Sequence, residues 1–333
     1  MLVHGPTEKD EPAILQSHRT HAPKRGMVID GRYRVERLLG HGGMGSVVAA
    51  MHLGIGRRVS IKIMKLSGKH AAVRFAREGR TLAQLNHPHI VRVYDSGQLQ
   101  SGRPYIVMER LDGADLEQRL RTGPIAVADV VRWIRQACDA LAAAHSAGVV
   151  HRDLKPSNLF LVRNAKSPFI KVLDFGISKA IHRPGSHLEA DGVLTGTGVM
   201  MGSPRYMSPE QLRSARDVDA RTDIWSLGVI MYELLTGETP FPQRDFPGLA
   251  NAIATQAPKR TRDLRPEIPG AVENIIQRCL QKDRDRRYPS IAALALALDA
   301  YTRRRRWPDL ALQATRIQTL RRSPHLWLCL IVA

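Results

Sequence analysis

Between His151 and Gly176 the chain reads His151-Arg152-Asp153-Leu154-Lys155-Pro156-Ser157-Asn158 and, sixteen residues after Asn158, Asp174-Phe175-Gly176. This spacing sets out one carboxylate, one ammonium, one amide and a second carboxylate. A capped loop ahead of a strand would explain none of those spacings. Phosphoryl transfer explains all four. It needs a group to orient the attacking hydroxyl, positive charge on the phosphates, and oxygen ligands for Mg²⁺. Asp153 suits the first task, Lys155 the second, and Asn158 with Asp174 the third.

Other motifs stand in a fixed order around this segment. Gly40-His41-Gly42-Gly43-Met44-Gly45-Ser46-Val47 fits G-x-G-x-x-G-x-V. Val59-Ser60-Ile61-Lys62 fits V-A-I-K except at Ser60, and Ser208-Pro209-Glu210 fits A-P-E except at Ser208. Asp223-Ile224-Trp225-Ser226-Leu227-Gly228 fits D-x-W-S-x-G. A lone glycine motif would carry little weight, but the ordered set carries a great deal. Over about residues 28–301 the chain resembles the eukaryotic-type (Hanks-type) protein kinases. Lys155, two residues after Asp153, resembles their serine/threonine branch, and the bacterial subgroup fits best.

The resemblance implies an α+β, two-lobed fold. A small β-rich N-lobe with one main helix would span about 28–108, a hinge 109–113, and a larger, mostly helical C-lobe 114–301. The patterning agrees. Tyr33–Leu39, Ser46–His52 and Arg58–Met64 read as strands, as do Ile90–Tyr94 and Tyr105–Met108. Ala71–Leu85, Asp129–Ala147, Thr222–Leu235, Ala271–Leu280 and Ser290–Tyr301 read as helices, the third apolar nearly all round. Pro240–Pro247 and Ala257–Pro269 read as connections. Residues 1–27 mix Pro, His and opposite charges and read as a disordered leader.

The resemblance also assigns roles. Gly40, Gly42 and Gly45 would close backbone N–H groups over the phosphates of ATP. Lys62 would hold the α- and β-phosphates. Glu78, the only acidic residue between Ile63 and Tyr94, would be its partner. Leu39, Val47, Ser60 and Phe160 would wall the adenine, with Met108 as gatekeeper and Glu109–Leu111 as the hinge strand. Asp153 would orient the acceptor hydroxyl, Lys155 would neutralise the γ-phosphoryl, and Asn158 and Asp174 would hold Mg²⁺, or Mn²⁺ in its place. Thr195 and Thr197 would be autophosphorylation sites of an activation loop, with Arg152 and Lys179 as partners for the phosphate. Ser203 stands where threonine is usual and keeps the hydroxyl. Arg287 would pair with Glu210.

Composition bounds the alternatives. With 43% hydrophobic and 24% charged residues in 333, the chain has the make-up of a globular protein with a substantial core. Three cysteines, far apart and odd in number, fit neither a disulfide framework nor a zinc site and point to a reducing compartment. Cys138 and Cys279 fall on apolar helical faces and read as packing. The net charge of +19 attracts acidic partners in principle, but no basic motif interleaved with aromatics supports nucleic-acid binding. Residues 302–333 form a basic tail: Arg303–Arg306, Arg316, Arg321 and Arg322 precede eight apolar residues. Eight cannot span a bilayer, which takes about 20. The tail fits either a truncated juxtamembrane segment on an anionic membrane surface or packing on the large lobe.

The expected activity is transfer of the γ-phosphoryl of Mg-ATP to protein Ser/Thr hydroxyls, by a cytoplasmic protein or one on the cytoplasmic face of a membrane. Self-association would allow trans-autophosphorylation. The competing reading is a pseudokinase scaffold that binds nucleotide without turnover. It is disfavoured because Lys62, Glu78, Asp153, Asn158 and Asp174 are all present.

Overall fold

A computed structural model describes residues 23–42, 45–65, 84–163, 167–175, 204–214 and 218–303. They fall into two compact units. One takes the described residues up to 65 together with Tyr94–Arg110, and the other those from 84 to 93 and from Leu111 onward.

The first unit is built on a sheet of β1 (Val28–Ile29), β2 (Tyr33–Gly42), β3 (Gly45–His52), β4 (Arg57–Met64), β5 (Val93–Gln98) and β6 (Pro104–Glu109), in the order β1-β2-β3-β4-β6-β5. Its first four strands form an antiparallel meander, and β6 pairs antiparallel with β4. Side chains alternate along a strand, so β-branched residues two apart share a face. Val48, Ala50, Val59, Ile61 and Ile63 accordingly close with Tyr105 and Val107 into a buried core. Gly26 and Met27 exchange backbone hydrogen bonds with Val35, extending the ordered chain ahead of β1.

The strand expected over Ile90–Tyr94 is displaced. β5 begins at Val93 and runs on through Asp95-Ser96-Gly97, whose polarity hides it in the sequence. Gly97 is there because the Tyr105 ring crosses it: a Cβ would lie 2.5 Å from the phenolic oxygen. Ile90 instead forms a parallel bridge to Val172 in the second unit.

The second unit contains a small sheet, β7 (Gly113–Asp115), β8 (Leu159–Val162) and β9 (Phe169–Val172), in that order. Its helices are α1 (Leu116–Leu120), α2 (Val127–Ser146), α3 (Pro209–Arg213), α4 (Arg221–Thr236), α5 (Phe246–Thr255), α6 (Thr261–Leu264), α7 (Gly270–Cys279) and α8 (291–303). Val130, Val131, Ile134, Cys138 and Leu141 of α2 are buried, as their spacing predicts, and α4 is buried nearly all round. Helix α4 stops at Gly237, whose φ of 81° only glycine adopts freely.

The connection expected over Pro240–Pro247 is shorter than the sequence suggests. Asp245 caps α5 by accepting from the Gly248 N–H at 2.7 Å, and Pro247 sits in the first turn, where its missing N–H costs nothing. The connection expected over Ala257–Pro269 likewise contains α6.

The main N-lobe helix expected over Ala71–Leu85 lies outside the described residues except for its end, where Gln84 is helical. The leader up to residue 22 and the tail from residue 304 also lie outside them. Among the described residues no helix is long and apolar enough to cross a membrane.

Candidate active site

Each unit brings its own set of expected residues together. In the first, strand register decides what lies beside the glycine turn. Gly40 pairs with Val47, Val47 with Lys62, and Lys62 with Ile106. Directly opposed residues project from one face of a sheet, so Gly40, Val47 and Lys62 form a single cross-strand row. Val47 and Lys62 are half-buried, whereas their neighbours Val48, Ile61 and Ile63 point into the core. The register shifts between Leu38 and Gly40, which leaves Leu39 with no opposite residue on β3. At the far end of β4, Ser60 pairs with Met108 and Val59 with Glu109.

The glycines of the turn are not equivalent. Gly45 has φ of 155°, and a Cβ there would sit 2.1 Å from the Ile63 carbonyl oxygen, so the fold itself requires glycine. Among the described residues, a Cβ at Gly40 or Gly42 would meet nothing within 4 Å. Packing by those residues gives no reason for glycine at the two positions. Close approach of a ligand would.

In the second unit the loop from His151 to Asn158 is held almost entirely by hydrogen bonds to its backbone. His151 is fully buried. Its Nε2 faces the Leu173 carbonyl at 2.8 Å, and its Nδ1 accepts from the Asp153 N–H at 3.3 Å. Those partners put the ring proton on Nε2. The ring packs on Phe175, with centroids 4.8 Å apart. The loop is thereby tied on both sides to the segment that leads through Asp174.

Arg152 has φ of 61° and Asp174 φ of 51°, left-handed values that cost non-glycine residues about 1–3 kcal/mol each. Two side chains from distant elements hold the first of these. Asp223 of α4 accepts from the N–H groups of Arg152 and His151, at 3.0 Å each, and from Nε2 of His145 at 2.7 Å. Gln211 of α3 donates from Nε2 to the Arg152 carbonyl at 2.8 Å.

The side chains expected to carry the chemistry stand on this frame. Lys155 Nζ lies 3.4 Å from Asp153 Oδ2, and the two side chains are only 20% and 9% exposed. Asn158 is buried and donates from Nδ2 to the Asp153 carbonyl at 2.8 Å. That bond commits the amide nitrogen and leaves Oδ1 as the ligand end. The Leu173 N–H donates to the Asn158 carbonyl at 2.8 Å, which seats the residue before Asp174 next to Asn158. An amide oxygen and a carboxylate are hard donors of the kind Mg²⁺ takes, with phosphate and water filling its other positions. The donor set fits the metal.

Leu111 and Phe160 belong to this unit, where Phe160 on β8 opposes Asp115 and Lys171. Glu78, Thr195, Thr197, Lys179 and Ser203 lie outside the described residues, as do Gly43, Met44 and Gly176.

Two further pairs brace the unit. Arg287 makes two parallel bonds to Glu210, Nη1 to Oε1 at 2.7 Å and Nη2 to Oε2 at 2.8 Å, with the guanidinium fully buried. Burial pushes the Glu210 carboxyl up, but the Arg287 bonds outweigh it and hold the group below the ordinary glutamate range. Tyr206 donates to Glu233 Oε2 at 2.7 Å, and burial raises both groups. The sequence pointed to the Glu210–Arg287 pair through the resemblance. For Asp223 the sequence offered motif membership and no task, for His145 a place on the apolar face of its helix, and for Gln211 nothing.

The protein kinase domain family model matches residues 33–297. Serine/threonine-protein kinase Pkn1 of Myxococcus xanthus is 42% identical over 279 residues, which is 80% of this chain and 38% of that protein. Serine/threonine-protein kinase PknB of Mycolicibacterium smegmatis is 36% identical over 277 residues, 80% of this chain and 42% of that protein. This chain thus spans about two-fifths of the length of those relatives. Among solved structures, Rad53 1-466 in complex with AMP-PNP is similar with a TM-score of 0.63 at 25% identity, covering 79% of this chain and 64% of that one. With its motifs in order and most of its length matched, the chain belongs to the protein kinase domain family.

Proposed function

We propose that this chain transfers the γ-phosphoryl of Mg-ATP to serine and threonine hydroxyls of proteins. The observation that carries the reading is the loop of the second unit. Asp153 and Lys155 stand side by side, and Asn158 keeps its amide oxygen as the ligand end because its nitrogen is bound to the Asp153 carbonyl. In this reading Asp153 acts by orienting the acceptor hydroxyl and receiving its proton. Lys155 supplies positive charge where the phosphoryl group passes. Asn158 and Asp174 would hold Mg²⁺, which when bound offsets charge on the β- and γ-phosphates.

The row of Gly40, Val47 and Lys62 supports nucleotide binding by the first unit. The glycines leave room for phosphates to approach the backbone, and Lys62 projects from the same face of the sheet as Gly40 and Val47. Binding of AMP-PNP by the related Rad53 supports the choice of nucleotide. Leu39, Met108, Glu109, Leu111 and Phe160 are assigned to the adenine, and Glu78 to Lys62, on motif position.

The serine/threonine kinases among the relatives support protein hydroxyls as acceptors. Autophosphorylation at Thr195 and Thr197, in trans between copies, is the regulation assigned to the activation segment, with Arg152 and Lys179 as phosphate partners. The basic tail is assigned to an anionic surface on the cytoplasmic face of a membrane. The deciding experiment follows label from γ-labelled ATP into an acceptor protein and into the chain itself, with Asp153→Asn as control. Nucleotide binding without any transfer would replace this reading with that of a nucleotide-binding scaffold.

A further inference from the structure

Ser208, Gln211 and Thr222 form a directed chain of hydrogen bonds that ends on the catalytic loop. Ser208 and Thr222 are fully buried. Thr222 Oγ1 donates to Gln211 Oε1 at 2.7 Å, so its lone pair accepts from the Ser208 hydroxyl at 2.8 Å. The Ser208 N–H also donates to Gln211 Oε1, at 3.1 Å. Two donors on Oε1 fix the amide, and the opposite end, Nε2, must then face an acceptor. That acceptor is the carbonyl of Arg152, at 2.8 Å.

The carbonyl of Arg152 belongs to the peptide joining it to Asp153. The other backbone polar group of Arg152, its N–H, is held by Asp223. A residue at φ of 61° does not rest there unaided. Asp223 fixes where the left-handed turn begins, and Gln211 fixes the plane of the peptide that leads out of it into Asp153. Gln211 reaches Arg152 from α3, which begins three residues after Pro204–Tyr206, near the end of the stretch between Asp174 and Glu210.

We propose that Gln211 is a positioning residue for phosphoryl transfer. It sets the Arg152–Asp153 peptide and so the direction of the Asp153 carboxylate, and through Ser208 and Thr222 it ties that direction to the segment preceding α3. The Ser208 hydroxyl, absent from the A-P-E form of the motif, orients this relay. The inference rests on the kinase reading above.

The test is steady-state kinetics of the full chain with Gln211→Leu, Gln211→Glu and Thr222→Val, alongside thermal unfolding. Leucine removes the donor, and kcat should fall roughly tenfold, equivalent to the loss of one hydrogen bond in the transition state, with KM for ATP within about twofold. Thr222→Val leaves the donor but frees Oε1, and kcat should fall by about half to fivefold. Glutamate places an oxygen against the Arg152 carbonyl when ionised but an O–H donor when protonated. The ratio of Gln211→Glu to Gln211→Leu activity should therefore rise as the assay pH is lowered. A structural filler has no such pH signature, and that ratio is read from Gln211→Glu and Thr222→Val even if the leucine variant does not fold, by taking Thr222→Val as the reference. Unchanged kcat in the folded Gln211 variants, or a ratio flat with pH, overturns the inference in an active wild type. A wild-type chain without transfer overturns the kinase reading and this inference with it.

Discussion

Asp223, on the buried helix α4, accepts the backbone N–H of Arg152 at 3.0 Å across 71 residues of sequence. Arg152 is left-handed, at a cost of about 1–3 kcal/mol. A hydrogen bond to an ionised acceptor is worth about 1.5–3 kcal/mol. The two are comparable, so this bond offsets much of the cost of the left-handed turn, and the Gln211 bond to the Arg152 carbonyl adds to it.

Asp223→Asn tests this directly. The amide offers one acceptor oxygen where the carboxylate offers two, and three donors converge on the site: the N–H groups of His151 and Arg152 and Nε2 of His145. At least one is left facing an NH₂ group. Unfolding free energy should fall by about 1–3 kcal/mol, and phosphoryl transfer should fall with it. An unchanged melting temperature together with full activity would show that the left-handed turn is held without Asp223.

The Glu210–Arg287 pair should make stability depend on acid. Glu210 is held below the ordinary glutamate pKa, so the folded state binds fewer protons than the unfolded state as pH falls. Its contribution is fully present above the unfolded pKa and is lost as pH drops through the lowered, folded one. Arg287→Ala leaves a buried carboxylate unpaired and should cost about 3–5 kcal/mol at neutral pH. Arg287→Lys should recover little of that, since an ammonium cannot make the two parallel bonds. Urea titrations of wild type and both variants at neutral and acidic pH measure the effect. Equal stability of wild type and Arg287→Lys at neutral pH would rule it out.

What the sequence made legible follows from where each signal lies. β3 and β4 were readable because Val48, Ala50, Val59, Ile61 and Ile63 alternate onto one face, and α4 because it is apolar on every side. β5 was not, since Asp95-Ser96-Gly97 looks like a turn until the ring of Tyr105 is seen to cross Gly97. α5 was lost to Pro247, a helix breaker everywhere except the first turn, where it sits. Asp153, Lys155, Asn158 and Asp174 announce themselves by spacing, because the residues proposed to act together lie close in sequence here. Asp223 and Gln211 act on backbone groups 71 and 59 residues away. Contacts of that kind leave no local pattern, and only the folded chain reveals them.

Two substitutions separate the roles proposed for Asp153 and Asp174. Asp153→Asn should abolish transfer, by at least about a hundredfold, while nucleotide affinity stays within a few-fold, because the role proposed for Asp153 is at the acceptor. Asp174→Asn should weaken Mg-dependent nucleotide binding as well as turnover. Binding measured with and without Mg²⁺ in each variant, beside the transfer rate, distinguishes them. Normal autophosphorylation by Asp153→Asn would remove that residue from the acceptor side.

Gly228 closes the D-x-W-S-x-G motif of α4, and its neighbours explain the glycine. A Cβ at this position would lie 2.6 Å from Cβ of Cys279, the last residue of α7, and 3.2 Å from Leu280 Cδ2. The first atom is fixed to backbone and cannot turn aside, so α7 would have to move away from α4. Alanine is the better helix former by about 1 kcal/mol. Forcing an extra methyl into a packed interior costs about 1–3 kcal/mol, and at 2.6 Å the upper part of that range applies. Gly228→Ala should therefore destabilise the chain by about 1–2 kcal/mol net, seen as a lower denaturation midpoint at unchanged m-value. A variant more stable than wild type would mean that α7 yields readily and that close approach of the two helices is not why glycine stands there.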